Sequence, residues 1–158
     1  MVGSGTLWQK VGDGMLMGEF HHNIDDKNRL VVPTNFRKEL KESFVITRGL
    51  EKCLYAYSMD EWNKLVNKIN ELPFTKKDTR IFTRTFFSGA AVCEFDKNGR
   101  ITITSQLVSY ADLSKTCAII GVNDHLEIWN EDIFNDYMNQ NADSIEDIAE
   151  HLFEITSL

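Results

Sequence analysis

A chain of 158 residues with 42% hydrophobic and 11% aromatic content suits one ordinary domain or two half-sized units sharing a core, and excludes a disordered chain. Its apolar runs break well short of the roughly 20 residues a bilayer requires, so neither a membrane span nor a secretory signal is expected. The net charge of −7 leaves nucleic acid open because of its distribution: residues 131–158 hold eight acids and no Lys or Arg, whereas residues 27–52 carry a net +4.

In chain order, residues 1–14 are Gly-rich and read as an expression scar or loose tail, with the native start expected at Met15 or Met17. A first unit spans 15–72. It opens with strands near 18–24 and 29–32, joined by the turn Asp25-Asp26-Lys27-Asn28-Arg29. Pro33 stops strand pairing and starts a short helix. Phe44–Thr47 and Leu54–Tyr57 read as two further strands, and Ser58 or Asp60 caps a helix with Trp62, Leu65, Val66 and Ile69 on one face. A linking helix is expected over 73–88, bearing Ile81, Phe82, Phe86 and Phe87.

A second unit, 89–140, repeats this layout with strands near 91–95, 100–104, 117–121 and 126–129 and a helix from about 131. An acidic helix at 141–158 follows, capped by Asp143 or Ser144 and bearing Ile145, Ile148, Ala149 and Leu152.

The likeness between units is specific. Residues 21–32 align with 92–103 at an offset of 71, and 54–62 align with 126–134 at an offset of 72. Each copy reads strand, Asp-x-x-(Asn/Gly)-Arg turn, β-branched strand. Because a lone hairpin cannot bury its own apolar face, two must interlock. The expected fold is α+β, with tandem hairpin units sharing a pseudo-symmetric barrel flanked by helices.

In each turn the leading Asp25 or Asp96 accepts backbone N–H bonds and pins the bend. Asn28 and Gly99 are the residue types most tolerant of left-handed angles. The arginine that follows, Arg29 or Arg100, is then held on a stiff hairpin edge. It either reaches phosphates and guanine edges or braces its own turn through the Asp; for Arg100, in less basic surroundings, bracing is favoured.

These residues resemble the MraZ family, with its AbrB-type swapped-hairpin fold and doubled Asp-x-Lys-Gly-Arg motif. Supporting segments are Met17–Phe20, Leu30–Pro33 with Phe36-Arg37, Thr47–Leu50 and Phe86–Ala90. Asn28 replaces the usual glycine, and Asn98 stands where the second motif would place lysine. The resemblance covers about residues 15–153. It implies a cytoplasmic, nucleoid-associated transcription regulator, expected to repress the bacterial division and cell-wall gene cluster. Such a protein binds double-stranded promoter repeats upstream of its own operon as a ring-shaped homo-oligomer. Lys27 and Arg29 are expected to make the principal DNA contacts, with Arg37, Lys97 and Arg100 contributing. No cofactor, small-molecule substrate or membrane partner is implied.

An enzyme is disfavoured, since no nucleophile elbow, phosphate-cradling loop or His-Glu-x-x-His is present. His21 and His22 are adjacent, so in a strand they face opposite sides. Cys53, Cys93 and Cys117 lack Cys-x-x-Cys spacing and read as buried reduced thiols rather than a metal site. The remaining rival is a protein-interaction or antitoxin-like module, with Trp62, Trp129 and Phe134 as subunit contacts. Core packing is the favoured reading of those three.

Overall fold

A computed structural model describes residues 15–157; the expectation for residues 1–14 lies outside them. The leading half consists of β1 (Leu16–Asn23), β2 (Arg29–Val31), α1 (Thr34–Leu40), β3 (Ser43–Arg48), β4 (Leu54–Ser58) and α2 (Met59–Asn70). Helix α3 (Lys77–Ser88) precedes β5 (Ala91–Glu94), β6 (Arg100–Thr102), α4 (Ser105–Tyr110), β7 (Thr116–Asn123), β8 (Leu126–Asn130) and α5 (Glu131–Asn141). A 3-10 turn (Ala142–Ser144) then leads into α6 (Ile145–Ser157).

Local chemistry sets most of these boundaries. Pro33 cannot donate to a ladder and stands at the N-cap of α1. Ser58 caps α2 by accepting the Glu61 N–H, and Asn130 caps α5 by accepting the N–H groups of Asp132 and Ile133. Helix α4, which the sequence reading passed over, is capped by the Thr104 hydroxyl accepting the Leu107 N–H.

The strands form a six-stranded antiparallel sheet in the order β1-β7-β8-β4-β3-β5, with β2 and β6 paired separately. The first strand of each half pairs with the third strand of the other: β1 with β7 and β5 with β3. The centre of this pseudo-twofold arrangement is the β4–β8 pair. The α+β class is as expected, but the expected closed barrel is not formed. β1 and β5 end as opposite edges of an open sheet. β2 and β6, cut to three residues each by a turn before and Pro33 or Thr104 just after, form a ladder of their own.

One main core draws on both halves. Leu30, Phe44, Ile46 and Leu54 from the first meet Ile101, Leu107, Ile119, Leu126 and Ile128 from the second, all essentially inaccessible to water. Each such side chain contributes about 1.5–3 kcal/mol on burial, so the halves are mutually dependent for stability. A second cluster seats α5 through Trp129 and Phe134, and a third seats α2 and α3 through Tyr57, Ile69 and Phe86. Trp62 stacks on Phe86 at 5.4 Å between centroids. The three aromatics therefore pack inward, as favoured.

The carboxyl end of α3 is tied down from β3. Buried Thr47 donates its hydroxyl to the Phe86 carbonyl at 2.5 Å, and Arg48 donates to the Thr85 carbonyl and the Ser88 hydroxyl. These bonds satisfy terminal carbonyls that a helix cannot pair internally. All three cysteines are free and buried. Burial pushes the Cys93 thiol up to about 11 and the Cys117 thiol up to about 12, so neither is a thiolate near neutrality.

Candidate nucleic-acid interface

The two turns have the same hydrogen-bond pattern. In the first, Asp25 Oδ1 accepts the N–H groups of Lys27 and Arg29 at 3.0 and 2.8 Å, while Oδ2 accepts Arg29 Nε–H at 2.7 Å. In the second, Asp96 Oδ1 accepts from Asn98 and Arg100 at 2.8 and 2.9 Å, and Oδ2 accepts Arg100 Nε–H at 2.8 Å. Asn28 at φ 60° and Gly99 at φ 73° supply the left-handed step in each. The backbone N–H of Arg29 or Arg100, first among several donors, holds each Asp carboxyl below the usual carboxylate range.

Bracing of the turn is thus present in both copies, but it employs only Nε. Among the described residues, the terminal guanidinium nitrogens of Arg29 and Arg100 take no hydrogen bond or ion pair. The brace fixes the arginine and leaves its outer fork unengaged.

Strand pairing then places the two arginines on one ladder. β2 and β6 are antiparallel with Arg29 opposite Thr102, Leu30 opposite Ile101 and Val31 opposite Arg100. Side chains alternate along a strand, and Leu30 and Ile101 point into the core at 0% and 1% exposure. Arg29, Val31, Arg100 and Thr102 consequently share the outward face. Arg29 and Arg100 are diagonal neighbours, a relationship of about 7–8 Å, with the β-carbons somewhat closer.

The turns are also strapped to each other. Val32 donates its N–H to the Gly99 carbonyl at 3.1 Å, and Ile103 donates to the Asn28 carbonyl at 2.8 Å. Arg37 of α1 donates to the Thr34 hydroxyl at 2.8 Å, and its guanidinium covers Gly99. Lys27 and Lys97 are exposed, one in each turn. The five basic residues singled out from sequence are therefore distributed over two turns and one helix beside a single ladder. Lys38 and Lys41, counted only as part of the basic stretch, join Arg37, Glu94 and Phe95 in lining an open cleft. Their position close after Arg37, Lys38 next to it on α1 and Lys41 at the C-cap of that helix, was the signal available.

The histidines lie elsewhere. His21 bridges Glu19 and Glu131 at 2.5 and 2.6 Å, and these hydrogen bonds raise its pKa above the ordinary value. His125 is flanked by the rings of Tyr55 and Tyr57. Burial opposes its charging, but the Glu127 carboxylate 3.7 Å from Nε2 and the hydrogen bond to Asp124 outweigh that and raise its pKa. Among the described residues, no group of three or more His, Cys, Asp or Glu is placed to hold a metal ion, and no helix is long and apolar enough to cross a membrane.

A duplicated α+β chain whose repeats each present a braced Asp–Arg turn on a shared ladder defines a tandem-repeat protein with a surface site. The chain belongs to the MraZ family: the family model described as "MraZ protein, putative antitoxin-like" matches residues 15–85 and, a second time, residues 86–155.

Proposed function

We propose that this protein is a sequence-specific, double-stranded DNA-binding transcription regulator. In this reading it represses the bacterial division and cell-wall gene cluster by binding repeats upstream of its own operon. The observation that carries the reading is the pair of arginines on the outward face of the β2–β6 ladder. Each is held by its own Asp through Nε, with its terminal nitrogens turned to no partner among the described residues. A guanidinium fixed in this way loses little freedom when it takes a phosphate or a guanine edge.

Lys27 and Arg29 act as principal contacts, with Arg37, Lys97 and Arg100 in support. The exchange of first strands between halves supports the swapped-hairpin reading. One ladder offers few contacts, so ring-shaped assembly of several copies raises affinity for consecutive repeats by effective concentration. A cytoplasmic, nucleoid-associated location follows from that role.

The test is an anisotropy titration of a duplex carrying the upstream repeats, with a shuffled duplex as control. Wild type is expected to prefer the repeats and to lose affinity steeply with salt, at a log–log slope of about −0.9 per phosphate contact. Arg29→Ala is expected to abolish binding while oligomer size and fold persist. Unchanged affinity in that variant refutes the assignment. Salt-insensitive association with a protein instead of DNA supports the interaction-module alternative.

A further inference from the structure

Helix α6 has an apolar side and an acidic side. Ile145, Ile148, Leu152 and Ile155 recur at spacings of three and four and so form one stripe; their exposures run from 42% to 61%. Glu146, Asp147, Glu150 and Glu154 lie around the rest of the helix, and none forms an ion pair among the described residues. Within its own chain α6 packs chiefly against the 3-10 turn before it. At about 20 Å in length, it is a long apolar stripe for one chain to leave in water.

The same chain carries a surface of opposite charge. On α3 the inward side holds Phe82 and Phe86, while Lys77, Ile81 and Arg84, at spacings of four and three, line the outward side. Ile81 is 50% exposed, and Phe74 and Leu72 just before the helix are 79% and 43% exposed. Lys76, Lys77 and Arg84 form no ion pair among the described residues. The α3 surface is thus apolar with a net basic surround, Lys76, Lys77 and Arg84 against the exposed Asp78, and α6 is apolar with an acidic surround.

We infer that the apolar stripe of α6 docks on the outward face of α3 in a second copy of this chain. The two faces differ, so the contact is head-to-tail, and a docked pair retains one free α6 on one copy and one free α3 on the other. Repetition of such a contact closes a ring when its rotation permits. The apolar stripe supplies association, and the opposed charges set orientation and exclude α6–α6 pairing. The inference rests on the assembly reading given above and specifies the surfaces that meet.

Light scattering over a dilution series tests it, with Ile148→Glu/Leu152→Glu as the first variant. Both positions are exposed, so its circular dichroism and melting temperature are expected to match wild type while its mass falls to that of one chain. Lys77→Glu/Arg84→Glu is expected to raise the dissociation midpoint by about tenfold or more, and adding Glu146→Lys/Glu150→Lys to restore it. An assembled wild type whose mass is unmoved by the stripe variant overturns this interface and leaves the assembly reading standing. Failure of the charge-swapped combination to recover assembly overturns α3 as the docking face. A wild type of single-chain mass at every concentration overturns the assembly reading itself, while DNA binding is scored separately by anisotropy.

Discussion

Arg37 covers Gly99 so closely that a β-carbon placed there falls 1.4 Å from Arg37 Nη1. A helix of the first repeat thus rests on the turn of the second. At the repeat offset the counterpart of Gly99 is Asn28 and that of Arg37 is Val108. The turn that is met by arginine has no side chain, and the other has asparagine.

Gly99→Ala puts a β-carbon in the left-handed region at φ 73° and is expected to cost about 1–2 kcal/mol. Gly99→Asn is expected to cost less, because asparagine already occupies that conformation at position 28, and the displaced group is the mobile end of Arg37. Urea denaturation ranks the two. Weaker DNA binding by Gly99→Asn at near-normal stability would assign a role to Arg37 where it now lies.

Arg29 and Arg100 brace their turns through the same Nε bond to their own Asp, so their removal should cost the same small amount in stability, as expected of exposed pairs. A difference in operator affinity between Arg29→Ala and Arg100→Ala therefore reports contact with DNA alone. The milder loss is expected for Arg100→Ala; equal losses in anisotropy would make the two turns equal partners.

Acid should loosen both turns together. Asp25 and Asp96 have folded-state pKa values below their unfolded ones, chiefly through the Arg29 and Arg100 backbone N–H groups. Their contribution is complete above the unfolded carboxylate pKa and is lost as pH falls through the lower folded value. Asp25→Asn/Asp96→Asn should flatten the acid limb of a stability–pH curve; an unaltered limb in chemical denaturation counts against this origin.

His21 has the opposite sign. Hydrogen bonds donated to Glu19 and Glu131 raise its folded pKa, so its contribution is complete below the unfolded value of about 6.5 and is lost as pH rises through the folded one. The bond to Glu131 joins β1 to the start of α5. Proton NMR should place the His21 midpoint above that of an unfolded histidine, and His21→Gln should remove the alkaline loosening of α5.

Thr47→Val keeps the shape of a fully buried side chain while removing the hydroxyl that pairs with the Phe86 carbonyl. A loss of about 1–3 kcal/mol is expected for that unsatisfied acceptor, with α3 the first element to gain hydrogen-exchange lability. Exchange unchanged across residues 77–88 would show that Arg48 suffices as the anchor.

The turns were legible from sequence because their chemistry is local: an Asp, a residue suited to positive φ and an Arg lie within five positions. The buried Trp129 and the half-buried Trp62 were legible through a β-branched setting and helix periodicity. The pairing of β1 with β7 was not, since Phe20 meets Ile119 and no local pattern encodes a partner so remote. The outward face shared by Arg29 and Arg100 was hidden for the same reason: it depends on Val31 lying opposite Arg100. Helix α4 has six residues without a charge pattern, and only Thr104 announces it. The closure of the barrel was overread, because interlocked hairpins do not require their outer strands to meet.

The reciprocal bonds from Val32 to Gly99 and from Ile103 to Asn28 carry a consequence in time. During synthesis β1, β2 and the edge of β3 emerge well before β7, β6 and β5, so the leading half waits with its strand edges uncovered. Non-local pairing of this kind folds slowly, and uncovered edges invite other chains. A ribosome stalled after α3 would therefore leave an adhesive fragment, and acquisition of the native state falls late, as a single cooperative step once β8, ending at Asn130, has left the exit tunnel.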